Sequence, residues 1–400
     1  MGAHNYPINQ PISRPISRPI YLDSNATTPV DPQVLAAMLP FFTDYFGNPS
    51  SRGHAYGWEA EAGVQTAREI IAAAIDAQPE EIIFTSGATE ANNLAIKGIA
   101  ESYMHEGQHI ITVQTEHSAV LAPCQYLETL GFSVTYLPVQ ADGLLNLSTL
   151  KEALRDETIL VSVMAANNEI GVLQPLEAIG EFCKQKGVIF HTDAAQALGK
   201  VALNVETMKI DLMSLTAHKL YGPKGIGALY VRQNHPRVQI SPQLHGGEQE
   251  RGRRSGTLYT PQIVGFGEAV RIAVDMMDGE QVRLRELRDR LSAHLSFPGV
   301  HINGHPTQRL ANNLSVSIEG ININALLSSI RHQAALSSGS ACSSASPQPS
   351  HVIKALGRSD ALAKATLRFG LGRGTTVEDI DTVGALVKAE VRSLRKSALS

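Results

Sequence analysis

Between residues 82 and 231 the chain switches hydrophobic period again and again, and that alternation restricts the available folds more than any other feature. Short runs of branched and apolar residues stand at 82–85, 110–113, 134–137, 159–164, 188–191, 210–215 and 228–231. Stretches with helical spacing separate most of them, among them 90–97, 120–130 and 176–186. The runs at 159–164 and 188–191 are apolar almost without interruption, as strands buried on both faces are. Strand and helix in alternation predict an α/β fold: a mostly parallel sheet covered by helices. A long helical stretch with few breakers follows at 261–295 and would join this large unit to a smaller one. Beyond it, strand patterns (313–318, 366–370) mix with helical ones (323–330, 377–394), an α+β arrangement. The segment 20–30 is expected to pack on one of the two units, with nothing to choose between them.

Length and charge narrow the classes further. Four hundred residues exceed what one hydrophobic core usually holds, so two to three domains are expected. No uncharged apolar run is long enough to span a bilayer, and no membrane partner is expected. With 34 basic and 38 acidic side chains the net charge is −4, without the basic excess of a nucleic-acid-binding protein. Three cysteines cannot form a disulfide framework. They point to a reducing, cytoplasmic compartment and make any single cysteine a candidate for chemistry. Residues 1–19 carry a Pro-Ile-Ser-Arg repeat whose prolines oppose a helix, so they read as a flexible, proline-rich arm. The expected division is this arm, a large unit at 20–275 and a small unit at 276–400.

Ligands of open α/β sheets lie beyond the carboxyl ends of the strands, and five strand ends here carry suggestive residues. Thr85-Ser86-Gly87-Ala88-Thr89-Glu90 runs from a strand through small residues into a helix, a pattern that can cup a phosphate or be an ordinary N-cap. His117, after Thr115-Glu116, could stack on a flat ring and move protons, or be a satisfied surface histidine. Asn167 and Asn168 stand in a turn after the strand ending near Met164, and adjacent carboxamides are usually turn-formers. Asp193 ends a buried apolar strand, which is costly for an acid without a partner, and Gln196 follows. Lys219, after Thr216 and His218 and before a Gly-Pro turn, is an amine poised to condense with a carbonyl. Each feature is ambiguous alone. In this order they match what pyridoxal phosphate requires: an anion site, a ring platform, a carboxylate for the ring nitrogen and an amine for the aldehyde. Competing motifs fail. There is no G-x-G-x-x-G, no phosphate loop with Gly-Lys-Ser/Thr, and no Cys/His spacing for a metal.

A second reactive group lies in the smaller unit. Residues 337–347 are almost all small and surround one thiol, Cys342, which reads either as an incidental cysteine in a flexible loop or as an exposed nucleophile. Cys124 and Cys183 lie inside helical patterns and read as structural. Arg368, in a short apolar strand, can fork onto a substrate carboxylate or make a structural ion pair. Arg253 and Arg254, in a polar loop with Thr257, could reach a phosphate, that of a neighbouring subunit included, or form a solvated basic face.

On these residues the chain resembles the NifS/IscS-type cysteine desulfurases of the class V aminotransferase superfamily. The matching segments are YLDSNATTP at 21–29, FGNPS at 46–50, FTSGATE at 84–90, TEH at 115–117, NNEIG at 167–171, DAAQ at 193–196, HK at 218–219, YGPKGIG at 221–227, RSGT at 254–257, SSGSAC at 337–342 and Arg368, in family order. The resemblance implies a fold-type-I pyridoxal phosphate enzyme, with a mostly parallel seven-stranded sheet and a smaller α+β domain carrying the cysteine loop. It implies that Lys219 anchors the coenzyme aldehyde, that His117 stacks on the ring and serves as acid and base, and that Asp193 holds the pyridine nitrogen and Gln196 the phenolic oxygen. Ala88, Thr89, Thr216 and His218 would hold the phosphate, with Thr257 reaching it from the other subunit of a homodimer. Asn168 and Arg368 would grip the carboxylate of L-cysteine, and Cys342 would accept its sulfur as a persulfide, for delivery to an acceptor such as an iron–sulfur scaffold. The chain ends soon after its last helical stretch, which leans toward a NifS-like or general-purpose member. The alternative is another class V enzyme, a selenocysteine lyase or aminotransferase, that would not need Cys342. A non-catalytic sulfur carrier would leave Lys219 without a role.

Overall fold

Six of the seven apolar runs of the alternating region become strands with both faces withdrawn from water; the run at 134–137 forms a half-buried edge strand. The computed structural model describes residues 18–234, 237–338 and 348–397. The described chain opens with β1 (Ile20–Tyr21) and the helices α1 (Pro32–Met38), α2 (Pro40–Thr43) and α3 (Ala55–Ala73). The alternating region follows as β2 (Ile82–Thr85), α4 (Ala88–Tyr103), β3 (His109–Val113), α5 (Ser118–Thr129), β4 (Ser133–Leu137) and α6 (Leu147–Ala153). It continues as β5 (Thr158–Ser162), α7 (Leu176–Lys186), β6 (Ile189–Asp193), β7 (Leu212–Thr216) and β8 (Gly227–Val231). The helix α8 (Thr260–His294) leads to β9 (Val300–Ile302), β10 (Asn313–Ile318), α9 (Ile323–Ile330), β11 (Ala334–Ala335) and β12 (Ser337–Ser338). The described chain closes with α10 (His351–Ala355), α11 (Asp360–Lys364), β13 (Thr366–Gly370) and α12 (Val377–Ser397).

Seven strands form one sheet in the order β2-β8-β7-β6-β5-β3-β4. Only β8 runs antiparallel to its neighbours β2 and β7; the other pairs are parallel. Its two faces bear separate cores, because successive side chains along a strand point to opposite sides. Phe84, Ile111, Val161 and Phe190 pack with α3, α7 and the first half of α8. Ile83, Ile110, Leu160 and Leu212 pack with α4 and α5. The strand expected from residue 210 starts at Leu212, because Ile210 spends its amide on the Val205 carbonyl and its own carbonyl on Arg232. Cys124 and Cys183 are fully buried, and burial pushes both thiols up to about 12.

A second sheet, all antiparallel and ordered β12-β13-β10-β9, carries its own core of Leu314, Val316, Leu367 and Phe369 against α9 and α12. The helix α8, about 52 Å long at 1.5 Å per residue, belongs to both cores. Ile263, Phe266 and Val270 join the first, and Leu284, Leu287 and Leu291 the second. The segment after residue 20 also touches both units rather than one. β1 pairs in parallel with β11, and Leu22 lies in the second core. Ser24 donates to the Gly370 carbonyl, and Gly370 to that of Leu22, at 2.9 and 2.7 Å. A side chain at Gly370 would collide with Asn25, so this approach requires glycine. Three residues on, Thr28 donates to the His218 carbonyl at 3.0 Å, at the end of β7.

Candidate functional site

The carboxyl ends of β2, β5, β6 and β7, with the segment after β3, converge on one cavity of about 530 Å³. Ten of the residues singled out in the sequence line it: Ala88, Thr89, His117, Asn168, Asp193, Gln196, Thr216, His218, Lys219 and Arg368. Thr257 does not; it is exposed and lies outside its own chain's cavity. Cys342 lies outside the described residues.

The turn after β2 opens toward the cavity through Gly87, whose φ of 148° favours glycine. The α4 N-terminus has no side-chain cap there, and the amides of its first turn carry the positive end of the helix dipole into the cavity. The Glu90 side chain turns back to accept from the Ser86 amide at 2.7 Å and from Arg254 at 2.7 Å. Within its own chain Arg254 is therefore paired with Glu90 and is not part of a freely solvated basic face. Arg253 bonds Gln233.

Lys219 reaches the cavity from the short turn after β7. Its Nζ donates to the Asn25 and Ala26 carbonyls, both at 2.6 Å. His218 bonds Thr27 at 3.2 Å, and burial, with the Lys219 charge beside it, pulls its imidazole down to about 4. A neutral imidazole of this kind offers one ring N–H as a hydrogen-bond donor. Asp193 ends β6 at 6% exposure. One of its oxygens accepts from the Ala195 amide at 2.9 Å and the other from Asn92 at 2.7 Å. The sequence alone left this buried acid without a partner, and these donors fix its carboxylate at the cavity wall. Gln196 donates from Nε2 to the Asn25 carbonyl at 2.9 Å.

His117 caps α5, accepting from the Ala119 amide at Nδ1. The neutral ring then carries its proton on Nε2. The adjacent asparagines divide their roles. Asn167 builds the turn, accepting from the Glu169 and Ile170 amides at 2.8 and 3.0 Å, while Asn168 faces the cavity. Arg368 makes the structural ion pair that is one reading of it, and it does so at the cavity wall. It is 1% exposed, paired with Asp23 at 2.8 Å and bonded to the Asn168 carbonyl at 3.2 Å, yet it lines the cavity.

Both flanks of residues 339–347 are attached to this site. Ser337 stands opposite Arg368 in the register of β12 and β13. On the other side Ser350 donates to Glu169 at 2.6 Å, and His351 bonds the Glu116 carbonyl at 3.0 Å. Burial pushes Glu169 up to about 7 against the pull of Ser350, Arg368 and His117, and pushes Glu116 well above the usual carboxylate range. Sequence reasoning did not single out Asn92 and Asn25, which line the cavity, or Glu116 and Glu169, which stand beside it and hold the segment after residue 347. Three of them sit inside the quoted motifs, so only their roles were hidden; Asn92 lies one turn into α4, where only the fold reveals what it faces.

The model of the family "Aminotransferase class-V" matches residues 20–383. The chain is 54% identical over 379 residues to a protein of Methylobacillus flagellatus named cysteine desulfurase IscS, covering 94% of this chain and 93% of that one. A protein of the same name from Methylococcus capsulatus is 55% identical over 378 residues, with the same coverage. Among solved structures, one titled "NIFS-LIKE PROTEIN" superposes with a TM-score of 0.87 at 37% identity, covering 94% of this chain and 99% of that one. Another, titled "SspA in complex with cysteine", superposes with a TM-score of 0.78 at 40% identity, covering 88% and 98%. The relatives by sequence carry the IscS name and the first of these structures the NifS-like one.

Proposed function

The chain belongs to the class V aminotransferase family, and on that premise we propose that it is a cysteine desulfurase, which takes sulfur from L-cysteine and releases L-alanine with pyridoxal phosphate as cofactor. One observation carries this reading: an amine (Lys219), a buried carboxylate (Asp193) and an uncapped helix N-terminus (α4) face one cavity. Several buried polar atoms of the cavity's residues, namely both side-chain atoms of Asn25, Oδ1 of Asn92 and Nε of Arg368, have no partner among the described residues. Burying such atoms unpaired is costly, so a polar ligand suits this wall. When bound, pyridoxal phosphate supplies an aldehyde for the substrate's amino group and a cationic ring that draws electrons from its α-carbon.

The chain's own residues do the rest. Ala88 and Thr89 hold the phosphate with main-chain amides and a hydroxyl at the α4 N-terminus, joined by Thr216 and His218. The Asp193 carboxylate keeps the ring nitrogen protonated by opposite charge, and Gln196 donates to the phenolic oxygen. His117 covers the ring and moves a proton at Nε2. Asn168 and Arg368 orient the substrate carboxylate. Lys219 anchors the cofactor and accepts the substrate's α-proton. The Cys342 thiolate attacks the substrate sulfur; an S–S bond forms as the C–S bond breaks, the electron pair stays on carbon, and Cys342 keeps the sulfur as a persulfide. Its position between two flanks fixed at Arg368 and Glu169 supports that role. The persulfide then serves an acceptor such as an iron–sulfur scaffold.

Positioned proton transfer contributes about 10²–10⁴-fold. His117→Ala therefore lowers turnover within that range while the visible absorbance of the bound cofactor persists. Stopped-flow measurement of turnover checks this, and a change below about tenfold removes His117 from the mechanism. The binding experiment is simple: purified protein titrated with pyridoxal phosphate gains visible absorbance, and L-cysteine adds one sulfur to Cys342 by mass spectrometry. A colourless protein overturns the reading.

The active form in this proposal is a homodimer. Phe46, Tyr56, Trp58 and Tyr259 are each at least half exposed, and Phe46 packs on Tyr56 at 5.3 Å between ring centroids. Exposed aromatic rings of this kind suit burial against a second copy, and Thr257 lies two residues from Tyr259. If Thr257 serves the other subunit's site, Lys219→Ala and Thr257→Glu chains complement each other. Each mixed dimer holds one intact site, so an equimolar mixture recovers about one quarter of wild-type activity. No recovery overturns the shared site. We place the enzyme in the cytoplasm, in keeping with its sparse cysteines; no helix among the described residues is long and apolar enough to cross a membrane. The division into an arm (1–19), a large unit (20–275) and a small unit (276–400) with the cysteine segment is also our reading. It is supported by the two halves of α8, which serve different cores.

A further inference from the structure

Lys200 stands four residues after Gln196 and has no part in the roles above. Its Nζ donates to Gln196 Oε1 at 3.1 Å, and Gln196 Nε2 donates to the Asn25 carbonyl at 2.9 Å. The same carbonyl accepts from Lys219 at 2.6 Å. A hydrogen-bonded path thus runs from Lys200 through Gln196 and the Asn25 carbonyl to Lys219. A carboxamide is nearly symmetric in shape, but its oxygen only accepts and its nitrogen only donates, so neighbours decide which end faces where. The donor on Lys200 and the acceptor on Asn25 select the same orientation: oxygen away from the cavity, nitrogen toward it. Gln196 is 4% exposed and lines the large cavity, and its nitrogen has a second hydrogen beyond the one spent on Asn25. Reversed, the group would set its oxygen against any anionic oxygen bound there.

Lys200 itself lines a narrow cavity of about 40 Å³ behind Lys219, with Tyr221, Glu280 and Arg373. The carboxylate of Glu280 is already engaged by Arg373 at 2.8 Å. Burial and the Lys219 charge, opposed by Glu280, bring the Lys200 amine down to about 7. Both its protonation states still carry N–H donors for Gln196.

We propose that Lys200 is a positioning residue: its bond to Gln196 Oε1 locks that carboxamide with the nitrogen toward the cavity, the orientation in which Gln196 donates to the cofactor's phenolic oxygen. This rests on the cofactor reading above. The test is a double-mutant cycle on the dissociation constant of pyridoxal phosphate, measured by absorbance titration of the cofactor-free dimer. The pH midpoint of the visible band is followed in parallel. Lys200→Met weakens binding about fivefold to tenfold, the size of one lost hydrogen bond, and shifts the midpoint in the same direction as Gln196→Ala. In the Gln196→Ala background Lys200→Met adds less than about twofold, because the two residues act as one unit. Lys200→Gln keeps an N–H donor and recovers part of the loss, and it carries the cycle should the Met variant fail to fold. Equal penalties in both backgrounds, or no penalty in either, overturn the proposal. Failure of the wild-type protein to bind the cofactor would instead sink the cofactor reading.

Discussion

Cys342→Ser abolishes sulfur transfer and leaves the visible cofactor band intact. Serine keeps the size of the side chain but replaces sulfur by an oxygen that is barely ionised at neutral pH and cannot hold a persulfide. The cavity residues lie on other elements and are untouched by the substitution. L-cysteine should therefore still perturb the visible spectrum of the variant, while neither sulfide nor alanine accumulates. Spectral titration with L-cysteine, alongside alanine release, separates the two steps. Sulfide release retained by the serine variant would refute the nucleophile and favour a lyase-like or aminotransferase chemistry that has no need of Cys342.

Lys219→Ala removes more. The amine faces the cavity from the end of β7, steadied by the Asn25 and Ala26 carbonyls. With it go the covalent anchor and the base, so the loss exceeds the 10²–10⁴-fold of a single positioned proton transfer. The variant is expected to show no lysine-bound visible band and no turnover, with thermal unfolding close to that of the cofactor-free wild type. Added primary amines restore neither anchoring nor geometry. A variant that keeps more than about one hundredth of wild-type turnover would move the covalent role to another residue.

Much of this site was legible because its chemistry stands at strand ends. The runs before Ser86, Asp193 and Thr216 are buried on both faces, so each strand, and the polar residue that follows it, announces itself. The helix α3 was not legible: Ala60, Gly63 and Ala67 dilute the apolar spacing on its buried side. The two-residue strands β1 and β11 are too short to have a period at all. Contacts made through space were hidden too. Nothing near Asn92 in sequence tells that it meets Asp193, 101 residues away, or that Asp23 meets Arg368. Lys200 is the intermediate case. Its place four residues after Gln196 was visible, but its bond to Gln196 was not.

The stitching of the first residues to the last strands has a consequence for biosynthesis. Asp23 and Arg368, 345 positions apart, pair beside the reactive amine, and Leu22 and Ser24 exchange hydrogen bonds with Gly370. A ribosome delivers Leu22, Asp23 and Ser24 long before those counterparts. The bonds that join this segment to β13 therefore close only after Gly370 has been made. A nascent chain that already displays the whole seven-stranded sheet would still lack Arg368 in its cavity wall, so the centre stays incomplete until β13 is in place.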